Sequence, residues 1–244
     1  MDSNIISHAL QYAGILIEGI LVFYVPLSSQ RKRWGVVLFY LASLLVTQVT
    51  RAWVLHVYGF YSRQYSYVYW TTDFLLVIAA FVLVCLFFRR ACLDQEKMWR
   101  FVRLLLVFIF VLVVGISGLS FLRNYSQLST YIIVEFNQNL YFACLVLNTL
   151  LYLLLQQVES TDDQLGLLVC GVGIQFAGPA ATMALLHLTT GEHFASLLNS
   201  FTIPTCTLGM LLVWAYAIVD VRDKTLKVVR HGPILAEAMI DPNV

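Results

Sequence analysis

The sequence predicts an all-α polytopic membrane protein, a bundle of seven transmembrane helices. Seven apolar stretches of about 20 residues account for nearly all of the chain, and a helix of about that length crosses a hydrocarbon core about 30 Å thick. The 244 residues are 60% hydrophobic and 12% charged, whereas soluble domains carry about 25% charged residues. We therefore expect helices at residues 6–27, 34–56, 67–88, 101–122, 130–158, 165–188 and 196–219.

The basic residues predict how this bundle is oriented. Twelve of the fifteen Lys and Arg residues fall on one side of the predicted helices, and the positive-inside rule makes that side cytoplasmic. The N-terminus is then outside, and the chain divides into a seven-helix transmembrane domain, residues 1–219, and a short cytoplasmic tail, residues 220–244. The twelve lie in the first connection, the third connection and the tail: Arg31, Lys32, Arg33, Arg89, Arg90, Lys97, Arg100, Arg103, Arg222, Lys224, Lys227 and Arg230.

The lengths of the polar segments exclude a soluble catalytic domain. The tail is among the longest at about 25 residues, and a domain needs about 50. The first apolar run is too long for the core of a cleaved signal peptide and is predicted to remain as a helix. The five cysteines are scattered, with neither metal-ligand nor disulfide-framework spacing. We expect a protein without catalytic activity of its own and without a cofactor.

Ionisable side chains inside the predicted spans are the first candidate site, because charges in hydrocarbon are costly and usually functional. Arg51 and Asp73 lie about 7 Å and about 9 Å below the external ends of the second and third spans, at about 1.5 Å per residue. Glu135 and Asn139 come at a similar depth in the fifth span. Together they predict a ligand-binding pocket in the outer leaflet. An ion pair that only joins two helices is the alternative for Arg51 and Asp73.

A second set of polar residues is predicted to face the interior of the bundle. One face of the fifth span carries residues spaced at i, i+4, i+7 and i+11, namely Asn137, Tyr141, Cys144 and Asn148. Gln175 on the sixth span is a candidate to meet them, either through hydrogen bonds between helices or in a water-filled cavity. Glu18 lies near the midplane of the first span, where desolvation disfavours a charged carboxyl group, so we expect it to be neutral or paired.

Four histidines map to the external ends of the spans: His8, His56, His187 and His193. With the nearby carboxylates they are of the residue types that form metal or proton-sensitive sites. No two of them have the i, i+4 spacing that places two ligands on one helical face. We therefore predict separate interfacial histidines and no metal site.

Small residues predict where helices approach each other closely. Gly173, Ala177 and Ala181 repeat every four positions on the sixth span, and Gly115 and Gly118 lie on the fourth. Such residues allow backbones to pack tightly in membranes.

Missing elements exclude two seven-helix families. The seventh span, residues 196–219, contains no lysine, so it cannot form the retinal Schiff base of microbial rhodopsins. The third span ends in Phe87-Phe88-Arg89-Arg90, without the acidic-basic-aromatic triplet of G-protein-coupled receptors. The seventh lacks the Asn-Pro-x-x-Tyr element of those receptors.

One segment resembles a known group. Tyr69-Trp70-Thr71-Thr72-Asp73, followed by an apolar span that ends in two arginines, is similar to uncharacterised bacterial seven-helix membrane proteins in which an aromatic pair opens the third helix and an acid follows. The acid in that group is usually Glu, so Asp73 departs from its pattern. The topology is also similar to the seven-helix sensory modules of bacterial signalling enzymes, here without the enzyme. The resemblance implies the fold and transfers no function.

These observations favour a receptor-like, sensory or accessory membrane subunit that binds a ligand or partner through the outer polar pocket. One alternative is a transporter or channel for a small polar solute or protons, and another is a structural subunit of a larger membrane complex. We expect the bilayer, and a protein partner or a second copy of this chain, as the partners, with no nucleic acid. The expected location is the cell membrane, the inner membrane of a bacterium.

Overall fold

Seven α-helices make up the part of the chain that the computed structural model describes, which is residues 2–27, 31–59, 62–93, 95–123, 130–157, 162–188 and 201–219. No strand occurs in these ranges. The helices are α1 (Asp2–Leu27), α2 (Arg31–Tyr58), α3 (Arg63–Ala91), α4 (Glu96–Arg123), α5 (Thr130–Gln157), α6 (Asp163–Leu188) and α7 (Phe201–Val219).

Six of these helices, α2 to α7, are long and apolar enough to cross a membrane. In α1 the described apolar stretch is shorter, Tyr12–Pro26. The all-α fold class is confirmed, and the six apolar helices indicate a multi-pass membrane protein. The predicted tail, residues 220–244, lies outside the described residues.

The helices extend beyond the apolar spans, so the connections are shorter than the sequence predicts. α3 continues to Ala91 and α4 begins at Glu96, which makes most of the basic third connection helical. Arg, Lys, Glu and Met are good helix formers, and their charged heads can reach water from a helix end. The backbone N–H of Cys92 donates to the Phe88 carbonyl at 3.0 Å and closes α3.

The end of α2 and the start of α3 are each capped. Gly59 has a φ of 76°, a left-handed conformation that favours glycine, and its N–H donates to the Leu55 carbonyl at 3.0 Å. Ser62 then caps α3, its Oγ accepting from the Tyr65 N–H at 3.1 Å. We call the side of the bundle at this turn the Gly59 end, and the side at the α3–α4 turn the Cys92 end.

The centre of the bundle is formed by α3 and α5. α3 contacts α2, α4, α5 and α6, while α5 contacts α3, α4 and α6, and α1 packs on α2. Fully buried side chains from five helices meet in one core: Leu41, Val77, Val84, Leu140, Leu147, Leu168 and Leu211. The candidate site residues are therefore held between the best-packed elements.

The close approach of α6 and α7 depends on two glycines, Gly171 and Gly178. A Cβ atom added at Gly171 would lie 2.6 Å from Trp214 Nε1, and one added at Gly178 would lie 2.9 Å from Cys206 Sγ. Trp214 is fully buried and donates from Nε1 to the Leu168 carbonyl at 3.0 Å. The indole ring thus occupies the space that the missing side chain leaves.

The predicted small-residue contacts are only partly present. Gly173 faces α5, because an added Cβ would lie 2.9 Å from Asn148 Nδ2. Ala177 and Ala181 are exposed, and nothing lies within 4 Å of a Cβ added at Gly115 or Gly118. A four-residue repeat advances about 40° around a helix, so it drifts away from the facing helix, whereas the seven-residue spacing of the two glycines that contact α7 drifts only about 20°.

Candidate functional site

Arg51 is the centre of a polar cluster near the Gly59 end. Its Nε donates to Thr72 Oγ1 at 2.8 Å, and its Nη2 donates to the Tyr69 carbonyl at 3.2 Å and to Asp73 Oδ1 at 3.2 Å. The guanidinium carbon also lies 4.2 Å from the centroid of the Tyr69 ring, a cation–π contact. A short segment of α3 therefore supplies four kinds of partner to a single arginine of α2: a hydroxyl, a backbone carbonyl, a carboxylate and an aromatic ring.

Asp73 joins this arginine to a third helix. Its Oδ1 accepts from Arg51, and its Oδ2 accepts from Asn137 Nδ2 of α5 at 2.8 Å. The Arg51 and Asp73 side chains are 21% and 19% exposed, so the pair is mostly but not completely buried. We call Arg51, Tyr69, Thr72, Asp73 and Asn137 the Arg51 cluster.

Asn139 bonds to α4 rather than to the Arg51 cluster, and the prediction that Glu135 and Asn139 line a ligand pocket stays a prediction. Asn139 Nδ2 donates to Ser117 Oγ of α4 at 3.3 Å, and no hydrogen bond joins Glu135 to Arg51 or Asp73 among the described residues. The reason is the period of the helix. Glu135 and Asn139 are one turn apart on the same side of α5, while Asn137 lies about 200° around the helix from both.

Glu18 is fully buried and is paired by a residue that the sequence does not single out. Gln48 of α2 donates from Nε2 to Glu18 Oε2 at 3.0 Å. Glu18 Oε1 is buried and has no hydrogen-bond partner in the described part of the chain. Gln48 is one turn before Arg51 on α2, so the two polar contacts follow each other along that helix.

The polar face of α5 lies in the interior of the bundle. Asn137, Cys144 and Asn148 are buried, and the Tyr141 ring packs against Phe176 of α6 with centroids 6.2 Å apart. Asn148 Nδ2 donates to the Val169 carbonyl of α6 at 3.0 Å. The side-chain oxygens of Asn137, Asn148 and Gln175 are buried and have no hydrogen-bond partner among the described residues.

A second ion pair lies at the opposite end of α3. Arg90 donates from Nη2 and Nε to Asp162 Oδ2 at 2.6 Å and 3.0 Å. Asp162 also caps α6, because its Oδ1 accepts from the Leu165 N–H at 3.3 Å. Asp73 and Arg90 are 17 residues apart, about 25 Å along a helix, so α3 is joined to neighbouring helices at both ends.

In the part of the chain that the structure describes, no three His, Cys, Asp or Glu side chains lie close enough together to bind a metal ion. Of the four histidines only His56 has a described side chain, and it is exposed at the end of α2. His8, His187 and His193 fall outside the described side chains. What the Arg51 cluster offers chemically is a partly exposed guanidinium and carboxylate beside buried amide groups.

Some residues of the site carry signals that sequence reasoning passed over. Gln48 is a polar residue inside the second span, and it could have been singled out by the reasoning applied to Arg51. Thr72 lies in the segment that carries the family resemblance. Ser117 and Trp214 gave no such signal, because serine and tryptophan are common in membrane helices without a specific partner.

No known protein family matches this chain, and comparisons with curated proteins and with solved structures find no significant similarity. The resemblance of the Tyr69 to Asp73 segment to uncharacterised bacterial seven-helix proteins stays a prediction.

Proposed function

We propose that this chain is a seven-span, receptor-like or accessory membrane protein, with its N-terminus outside and its C-terminus in the cytoplasm. It binds a small polar ligand at the Arg51 cluster, has no catalytic activity of its own, and acts through a partner protein in a bacterial inner membrane. The first helix, α1, then also crosses the membrane and brings the number of spans to seven, because its 26 residues are enough to cross a bilayer.

The observation that carries the proposal is the partial exposure of the Arg51 cluster. Its charges are held in place by Thr72, Tyr69 and Asn137, yet about a fifth of the Arg51 and Asp73 side chains is accessible. A cluster that served only to hold helices together would often be as stable or more stable with its charges replaced by well-packed apolar groups. Pre-positioned, partly accessible charges are what a polar ligand requires.

The two ends of α3 supply a route from ligand to partner. A ligand that binds Asp73 or Arg51 competes with contacts that hold α3 against α2 and α5. The other end of the same helix is held by Arg90 and Asp162. A small shift of α3 therefore changes an ion pair on the cytoplasmic face, where a partner can detect it.

The test is a thermal-stability screen of the full-length protein in detergent. The probes are free amino acids, dicarboxylates, phosphate and disaccharides, each at millimolar concentration. A ligand present at about 100 times its Kd stabilises by about 2.7 kcal/mol, and about 1 kcal/mol shifts Tm by about 2–4 °C for a chain of this size.

The expected result is a rise of several degrees with one probe class for the wild type and for Arg89→Gln, but not for Arg51→Gln. Arg89 is the control, because it is an exposed arginine at the other end of the bundle and belongs to neither the Arg51 cluster nor its surroundings. Equal rises in all three proteins, or no rise with any probe, would contradict a ligand site at the Arg51 cluster.

The orientation is tested by thiol labelling, with one change that the structure requires. Cys92 is 2% exposed, and its burial raises the thiol pKa, so an unlabelled Cys92 would report burial rather than topology. Leu93 beside it is 71% exposed. A membrane-impermeant maleimide should label Arg63→Cys and not Leu93→Cys in intact cells, and should label both after permeabilisation. The reverse pattern in intact cells contradicts the orientation.

A transporter is the second candidate, and Glu18 is the observation that favours it. This fully buried carboxyl group has one oxygen without a hydrogen-bond partner in the described residues, and further buried amide oxygens lie on α5 and α6. Protein in liposomes with a trapped pH indicator would show proton flux that Glu18→Gln reduces and Glu96→Gln, an exposed carboxyl control, does not. Such flux would replace the receptor proposal.

A further inference from the structure

An open cleft lies between the last turns of α2 and the first turns of α3, beside the Gly59 turn. Its volume is about 480 Å³, within the range of small-molecule sites, about 300–1,000 Å³. Seven residues line it: Trp53, Val54, Tyr58, Arg63, Gln64, Tyr67 and Val68. Arg51 is not among them, so this cleft is separate from the Arg51 cluster.

The lining changes from polar to apolar along the helices. Tyr58, Arg63 and Gln64 adjoin the Gly59 turn, whereas Trp53, Val54 and Val68 lie one to two turns further along α2 and α3. The same change occurs across a membrane interface, from headgroups to acyl chains, and aromatic side chains occupy the boundary. An occupant that matches both parts has a polar head and an apolar tail.

The charge of the lining residues favours one kind of polar headgroup, an anionic one. Arg63 is the one charged residue among the lining residues, and none of them is a carboxylate. The forked guanidinium matches the oxygens of a phosphate group. Trp53 and Tyr67 are 62% and 71% exposed and would attract a choline cation by their ring faces, but Arg63 opposes a second positive charge.

We propose that this cleft binds an anionic phospholipid, with its phosphate on Arg63 and the upper part of an acyl chain against Trp53 and Val68. The lipid bridges α2 and α3 where the Gly59 turn joins them. This site stands whether or not the Arg51 cluster binds a ligand, because the two share no residue.

The experiment uses quenching of tryptophan fluorescence in the purified full-length protein. Phosphatidylglycerol and phosphatidylcholine, each with brominated acyl chains, are titrated in detergent. The quenching that is present in the wild type and missing in Trp53→Phe reports lipid in the cleft. We expect saturable quenching by phosphatidylglycerol, at a concentration about tenfold lower than for phosphatidylcholine, the effect of one charge-assisted contact.

Two variants decide between specific and general binding. Arg63→Gln should abolish the preference, and Tyr67→Ala, which removes a wall of the cleft, should weaken quenching by both lipids. Arg89→Gln is the matched control, since it removes an exposed arginine from the other end of α3, and it should leave the preference unchanged. Circular dichroism and gel filtration establish that each variant is folded.

Three outcomes would overturn the proposal. Equal quenching by the two lipids would mean annular lipid only, and stronger quenching by phosphatidylcholine would mean an aromatic site for choline. An equal loss of preference in Arg89→Gln and Arg63→Gln would mean attraction by the overall charge of the protein.

Discussion

Removing Arg51 or Asp73 tests whether the ion pair holds α2 against α3. Breaking a fully buried pair costs about 3–5 kcal/mol, and an exposed pair contributes about 0–1 kcal/mol. The two side chains are 21% and 19% exposed, which places this pair between those limits. Each partner also keeps other contacts when the pair is broken, Arg51 with Thr72 and Tyr69, and Asp73 with Asn137.

We therefore expect each of Arg51→Ala and Asp73→Ala to lower the free energy of unfolding by about 2–3 kcal/mol, with a coupling energy of about 1–2 kcal/mol. The measurement is unfolding by sodium dodecyl sulfate in mixed micelles, followed by circular dichroism, on the wild type, both single variants and the double variant. Hydrogen bonds between membrane helices average about 0.6 kcal/mol, so a coupling above that value reports the charges.

A control pair keeps the interpretation specific. Asp162 lies about 25 Å along the bundle from Asp73 and bonds to Arg90, so Arg51→Ala combined with Asp162→Ala should be additive within about 0.5 kcal/mol. Additivity of Arg51→Ala with Asp73→Ala, within the same error, would refute the contact between them. Coupling in the control pair of the same size would refute its local origin.

Two further predictions concern packing and the Cys92 end. Gly171→Ala should lower the free energy of unfolding by about 1–3 kcal/mol, because its Cβ would lie 2.6 Å from Trp214 Nε1. Gly166→Ala is the control and should be neutral or stabilising, because nothing lies within 4 Å of its Cβ. Thermal denaturation in detergent measures both variants, and equal Tm values would contradict the close approach of α6 and α7. Asp162→Ala removes both the ion pair to Arg90 and the cap of α6, so it should lower the free energy of unfolding by about 1–3 kcal/mol. Arg90→Ala leaves the cap in place and should lower this free energy by less in the same assay. The opposite order would show that the cap contributes nothing.

The fold class follows from the sequence, because its causes are local. Hydrocarbon leaves a backbone only helices or closed barrels as spanning structures, so apolar runs of about 20 residues predict helices without knowledge of their neighbours. The same holds for the buried stripe on α5, since the spacing of Asn137, Tyr141 and Asn148 places them on one face. The depth of Arg51 and Asp73 could likewise be counted from the ends of their spans.

The tertiary structure decided which faces meet, because that depends on packing between helices distant in sequence. Depth alone placed Glu135 and Asn139 beside Arg51, but the rotation of α5 directs Asn137 there and Asn139 to α4. Gln48 meets Glu18 only because α1 packs on α2. A glycine is favoured at position 171 because Trp214, 43 residues later, occupies the space where a larger side chain would lie. Hydropathy fixes how deep a residue lies, and side-chain packing fixes the direction in which it points.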